Sequence, residues 1–130
     1  MLFRSQVKGR IKADLGAIRY GFESAGVIWN DAVYSTDPQS KVNYLAASLQ
    51  AQANPSYSVA WKAQSVDNTG PVFVTLTAND IVHITEAGIN YIAQCFAREQ
   101  ELTTTIDTAQ DVATIEAIDL RSGWPDRNVT

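Results

Sequence analysis

The chain has 130 residues, 45% of them hydrophobic and 18% charged, which suits one globular domain and excludes wholesale disorder. Its single cysteine, Cys95, excludes an intrachain disulfide and a cysteine-rich zinc cluster. No apolar run approaches the roughly 20 residues that span a bilayer, and the charged N-terminus lacks the apolar core of a secretory signal. We therefore expect a protein that is made and used in an aqueous, reducing setting.

The net charge of −4 is unevenly distributed along the chain. Residues 1–20 contain five basic side chains and one acidic side chain, a charge of +4, which leaves −8 for the remainder. Apolar residues recur every three to four positions from Phe3 to Ile18, which predicts a helix that Gly21 ends. A second, basic stripe on this helix is formed by Arg4, Lys8 and Lys12. Such a stripe is either a solvated face or a surface that contacts something acidic, which is the acidic remainder of this chain, a neighbouring copy or another partner.

A short hairpin and a helix are predicted next. Two β-prone runs between Val27 and Tyr34 flank Asn30-Asp31, which is typical of a tight hairpin turn. Asp37 followed by proline is a good helix start, so we predict a middle helix over about 38–53. The apolar residues that share one face of this helix are Val42, Leu45, Ala46 and Leu49.

The second half of the chain predicts another hairpin and two more helices. Strand-like runs at 57–62 and 72–76 flank a turn-rich segment. Thr77 with Asp80 three residues later forms a capping box at the start of a long helix, and Thr108 is placed to cap a last short helix. The sequence thus predicts an α+β fold: one domain over residues 1–125 and a loose tail at 126–130.

The residue types that carry chemistry are not assembled into a recognisable site. The one histidine, His83, has no nucleophile in a triad-like setting, and Cys95 lies about 18 Å along the same predicted helix. His83 and Glu86 could share one ion, but two ligands make a weak metal site. Phosphate-loop and dinucleotide fingerprints are absent from the sequence. We therefore predict no catalytic, cofactor-binding or metal-binding residues, and no enzymatic activity.

Three tryptophans, Trp29, Trp61 and Trp124, could each be core residues or interface anchors. From the sequence we predict partner contacts through the basic stripe together with two of them. The five predicted contact residues are Arg4, Lys8, Lys12, Trp29 and Trp124. Because the rest of the chain is acidic, we expect no binding to nucleic acid or to membranes.

Several weak signals recur in a fixed order along the chain. In chain order they are the basic first helix, Gly21-Phe22 and the hairpin up to Tyr34, Asp37 with Ser40 and Asn43, the strands at 59–62 and 74–77, the step at 106–109, and Trp124-Pro125. Together they resemble a small domain of unknown function that recurs in tail and tail-fibre-associated proteins of tailed bacteriophages. The resemblance covers about residues 4–125, and its order and spacing carry it rather than any single motif.

The resemblance implies a structural virion protein, an adaptor or attachment piece in the tail-fibre or baseplate region that acts by protein–protein docking. It implies other tail proteins as partners, a homo-oligomer or repeated copies, and a location in the phage tail after synthesis in the host bacterial cytoplasm. Two alternatives stay open. One is a tail-fibre assembly chaperone that leaves before the virion is complete, and the other is a small ligand-binding domain or enzyme.

Overall fold

The computed structural model describes residues 2–129. Met1 and Thr130, the first residue of the predicted domain and the last of the predicted tail, lie outside the described residues. The α+β fold is confirmed, with two hairpins, a long helix and a short C-terminal helix. In chain order the elements are α1 (Leu2–Glu23), β1 (Val27–Trp29), β2 (Ala32–Tyr34), α2 (Pro38–Ala53), β3 (Ser58–Ser65), β4 (Pro71–Thr77), α3 (Ala78–Thr108) and α4 (Val112–Glu116).

The contacts divide the chain into two compact units. The single domain over residues 1–125 stays a prediction. The first unit, called here the helical unit, comprises Met1–Phe22 and Ala93–Pro125. The second, the sheet unit, comprises Glu23–Ile92 and Asp126–Thr130. Each unit therefore combines segments that are far apart in the sequence.

The helical unit is built on apolar residues of α1, the second half of α3, and α4. The buried members of its core are Val7, Leu15, Leu102, Ile106, Ala109 and Ile115. On α1, Val7 and Leu15 lie eight positions apart, and the partly buried Ile11 between them packs against the same core, which agrees with the spacing that predicts the helix. Gly21 does not end α1, contrary to our expectation, because the helix continues to Glu23. Beyond the helix end, Gly26 has a positive φ of +93°, three residues after Glu23.

The two hairpins join into one antiparallel sheet with the strand order β1-β2-β3-β4. The first hairpin turns at Asn30 and Asp31, whose φ angles of 47° and 61° suit a two-residue turn of the primed type. Pairing of Ala32 with Ser65 and of Val33 with Gln64 links the hairpins. The predicted hairpins are thus confirmed, and their union into one sheet is added by the structure.

The C-terminal segment, for which the sequence predicts a loose tail, is hydrogen-bonded to the outer edge of β1. The Ile28 amide donates to the Arg127 carbonyl at 2.8 Å, and the Val129 amide donates to the Ile28 carbonyl at 2.8 Å. The Arg127 guanidinium also donates to the carbonyls of Ala25 and Gly26. Residues 127–129 therefore extend the sheet by a short parallel bridge.

The capping predictions hold at α2 and α3 and fail at α4. The Asp37 carboxylate accepts from the Ser40 amide at 2.7 Å, and Thr77 and Asp80 cap each other reciprocally. At α4 the cap is Asp111, which accepts from the amide three residues on. Thr108 is the last residue of α3, where its hydroxyl donates to a carbonyl of the preceding turn. Its hydroxyl is thus already bonded within α3.

Candidate functional site

The basic stripe predicted to dock on a partner makes its described contacts within the helical unit. Arg4 Nη1 donates to the Gln110 carbonyl at 2.8 Å, and Lys8 Nζ donates to the Asp107 carbonyl at 2.7 Å. Lys12 forms an ion pair with the Asp107 carboxylate. These cations lie at the C-terminal end of α3, where unpaired carbonyls and the helix dipole favour positive charge. Partner binding by the stripe stays a prediction.

The two predicted tryptophan contacts are half-buried and pack on aromatic neighbours. In the helical unit, Trp124 stacks on Phe22 with ring centroids 5.0 Å apart, and its Nε1 donates to the Leu120 carbonyl. In the sheet unit, the Trp29 ring lies 6.0 Å from that of His83 and 6.2 Å from that of Tyr34. Both rings thus have internal packing roles, and their role in docking stays a prediction.

His83 and Cys95 differ in exposure. His83 is exposed on α3 beside Trp29, and Cys95 is fully buried. Among residues 2–129 there is no cluster of three or more His, Cys, Asp or Glu side chains able to hold a metal ion. The two possible metal ligands noted in the sequence, His83 and Glu86, therefore gain no third ligand among the described residues.

The clearest surface feature of the sheet unit lies on α2. The face that packs inward carries Tyr44, Ala47, Ser48 and Ala51. Tyr44 stacks on Trp61 of β3 with ring centroids 5.1 Å apart. The apolar stripe noted from the sequence therefore points away from the sheet.

We call this outward stripe, with one residue of α3, the apolar surface. Its four members and their exposed fractions are Val42 (59%), Leu45 (55%), Leu49 (69%) and Ile89 (54%). Scattered exposed apolar residues are normal, but three at helical spacing on α2, next to a fourth on α3, are typical of a surface that is covered by a partner.

A cavity of about 150 Å³ opens at the apolar surface between α2 and α3. Its lining residues are Thr36, Lys41, Tyr44, Leu45, Thr85, Gly88, Ile89 and Ile92. Gly88 leaves space there, because a Cβ atom on it would lie 3.7 Å from Thr36 Cγ2. A cavity of about this size is large enough for a benzene-sized group. The site can therefore take one apolar side chain of a partner.

Charge is nearly absent from this site. Lys41 is the one charged residue of the 16 in α2, and its Nζ lies 3.3 Å from the buried Glu23 carboxylate. Burial raises the pKa of the Tyr44 hydroxyl above its ordinary value, so that group stays protonated and neutral. Such a site offers apolar contact rather than proton transfer or ligation.

The sequence contains the residues of this surface but not their orientation. Both sides of α2 are apolar, because Tyr44, Ala47 and Ala51 alternate with Val42, Leu45 and Leu49. The larger aliphatic side chains of Val42, Leu45 and Leu49 favour burial of their side of the helix. The side that packs on the sheet is instead the one with Tyr44 and the alanines. The one feature of the sequence that could have indicated an apolar outward face was the low charge of the whole helix.

No helix in the described part of the chain is long and apolar enough to cross a membrane. Comparison with curated proteins and with solved structures gives no match. A family model described as Domain of unknown function (DUF4376) matches residues 6–122, which is most of the chain. The match begins within α1 and ends after α4, so it includes all four strands, α2, α3 and α4. The chain therefore belongs to the DUF4376 family of domains of unknown function.

Proposed function

We propose that this chain is a structural virion protein of a tailed bacteriophage, an adaptor or attachment piece in the tail-fibre or baseplate region that acts by protein–protein docking. Two independent lines support the proposal. The resemblance described above supplies the location, and the apolar surface supplies a means of contact. The observation that carries the docking role is the group of four aliphatic side chains on α2 and α3, each more than half exposed, beside an open cavity.

The strength of such a contact can be estimated from the exposed area. Fully burying one aliphatic side chain contributes about 1.5–3 kcal/mol, so four that are a little over half exposed contribute about 4–7 kcal/mol. Association of two proteins costs about 4–15 kcal/mol in lost freedom. The apolar surface alone therefore gives weak binding. Repeated copies held in one assembly would make it effective, because linked sites bind with high effective concentration.

The test compares two single substitutions in phage carrying the gene. Leu49→Glu places a charge at the most exposed member of the apolar surface, and Val66→Glu makes the same change at an exposed position between β3 and β4. Both residues are more than half exposed, so both variants should fold. We expect the Val66→Glu protein in purified particles by mass spectrometry, and we expect Leu49→Glu to be depleted at least tenfold.

Absence of the unmodified protein from purified particles contradicts the proposal. If fibres also fail to assemble without it, the assembly chaperone becomes the better description, because a chaperone acts and then leaves. The third reading, a ligand-binding domain or enzyme, has His83 as its one titratable candidate. A loss of measurable chemistry in His83→Ala, with particle incorporation unchanged, would favour that reading.

A further inference from the structure

The two outer edges of the sheet differ in how they are covered. Residues 127–129 of the chain itself cover the β1 edge through two main-chain hydrogen bonds of 2.8 Å. At the opposite edge, β4 pairs with β3 on one side and has no strand on the other within the described residues. An open edge presents unpaired amide and carbonyl groups that can pair with another strand.

The β4 strand lacks the features by which proteins normally protect an open edge. Pro71–Thr77 contains no charged residue, and its one proline is the first residue of the strand. Its register with β3 is unbroken from Gln64↔Pro71 to Ser58↔Thr77, so no bulge twists the edge away. Val72 is 36% exposed and Phe73 is 70% exposed. Charges, bulges and short length are therefore all missing from this edge.

We propose that β4 pairs antiparallel with β4 of a second copy of this chain, about a two-fold axis at Val74. In this register Val72 lies opposite Leu76 of the other copy, and Phe73 lies opposite Thr75 of the other copy. Side chains alternate between the two faces of a strand, so Val72, Val74 and Leu76 share one face. Two sheets of four strands become one of eight.

The pattern of β4 is what selects a second copy as the occupant. Residues 72–76 alternate symmetrically about Val74, so the strand is its own complement: aliphatic side chains meet on one face, and Phe73 meets Thr75 on the other. No charge lies opposite a like charge, because the strand carries none. A two-fold contact also uses the same patch twice, as most homodimers do. The pairing rests on the sheet edge and not on the proposed function, so the two can fail separately.

The experiment is sedimentation velocity of the full chain over a concentration series, with paired charge variants. Phe73→Glu with Thr75→Glu places like charges opposite each other twice across the axis. Ser58→Glu with Ala60→Glu adds the same charge on the same face, one strand inward. Phe73→Glu with Thr75→Lys places opposite charges opposite each other instead. Far-UV circular dichroism checks that each variant keeps the fold.

We expect a concentration-dependent dimer of the unmodified chain, weakened at least tenfold by the first pair of substitutions and unchanged by the second. The third pair, with Phe73→Glu and Thr75→Lys, should restore association. Opposite charges meet across the interface only if residue 73 of one copy lies opposite residue 75 of the other, so this result tests the register about Val74. A monomer at every concentration overturns the proposal. Equal weakening by the first and second pairs also overturns it. If Leu49→Glu abolishes the dimer and the edge variants do not, the apolar surface is the dimer contact instead.

Discussion

The Nζ atom of Lys8, on α1, lies 2.7 Å from the main-chain oxygen of Asp107 in the last turn of α3. Carbonyls at a helix C-terminus lack intrahelical donors and carry negative partial charge, so a cation is stabilised there. Arg4 makes the equivalent contact with the Gln110 carbonyl, just after α3. The basic stripe therefore contributes to the stability of the helical unit.

Lys8→Ala is expected to lower the free energy of unfolding by about 0.3–1 kcal/mol, because it removes a charge-assisted hydrogen bond at a helix end. The measurement is equilibrium unfolding in urea at low ionic strength, and the difference should shrink in high salt. Lys62→Ala, on an exposed position of β3, is the matched control and should stay within about 0.5 kcal/mol. An equal loss in both variants would contradict the end-capping role of Lys8.

Gly88→Ala and Gly26→Ala are expected to have opposite effects on stability. Gly88 is in the interior of α3, and a Cβ there lies 3.7 Å from its nearest neighbour, so alanine should stabilise by about 0.5–1 kcal/mol. Gly26 has φ +93°, and its Cβ would lie 2.7 Å from the Tyr34 carbonyl oxygen, so alanine should destabilise by more than about 1 kcal/mol. Urea unfolding of the two variants decides both signs.

Asp37→Ala is expected to cost about 0.5–2 kcal/mol by removing the cap of α2. The Ser40 amide and the Ser35 hydroxyl donate to the Asp37 carboxylate and hold its pKa below the ordinary 3.8. This contribution is present above pH 3.8 and is lost as the pH falls through the lower folded-state pKa. Asp37→Asn should keep most of the stability at pH 7 and remove this part of the acid dependence. Unfolding measured from pH 7 to pH 2 tests both statements.

Alkaline pH is expected to destabilise the sheet unit through two tyrosines. Burial raises the pKa of Tyr44. The pKa of Tyr34 is raised mainly by burial and, to a smaller extent, by the nearby charge of Asp80. A raised folded-state pKa gives stability that is complete below the ordinary value of 10.0 and is lost as the pH rises above it. The free energy of unfolding of Tyr44→Phe should fall less steeply between pH 9 and about 12 than that of the unmodified chain. An unchanged slope would show that Tyr44 ionises freely in the folded protein.

Arg127→Ala is expected to loosen the C-terminal segment from β1. It removes two hydrogen bonds to the Ala25 and Gly26 carbonyls, at 2.8 and 2.9 Å. We expect faster amide exchange at Ile28 and Val129, whose amides donate across this edge. Arg121→Ala, in the helical unit, should leave both amides unchanged. Equal protection in Arg127→Ala would mean that the two main-chain bonds suffice to hold the segment.

Local signals predicted much of this fold correctly. The first turn requires positive φ at both of its central residues, which asparagine and aspartate adopt more easily than most residues. Its position could therefore be predicted from Asn30-Asp31 alone. Asp37 and the Thr77–Asp80 pair satisfy free amides of their own helix starts. In each case the interaction joins residues at most three positions apart, and no other part of the chain can easily override it.

The candidate site could not be predicted in the same way. The face of α2 that is buried depends on Trp61, which lies 17 positions beyond Tyr44 and stacks on it. Hydrophobicity alone favours Leu45 and Leu49 for the interior, yet both are more than half exposed. The cavity beside Gly88 likewise needs α2 and α3 in contact. Such features depend on which surfaces fit, and size and shape are not visible in a one-dimensional pattern.

The order of helices and strands, the two hairpins and most of the helix starts follow from the sequence, because these depend on neighbours a few residues apart. Which side of α2 faces outward, and the covering of the β1 edge by residues 127–129, follow only from how the segments pack together in three dimensions. The same packing directs the cations of the basic stripe to the end of α3. These outcomes depend on contacts between residues 17 to more than 100 positions apart, where the packing of the whole unit selects among locally equivalent choices.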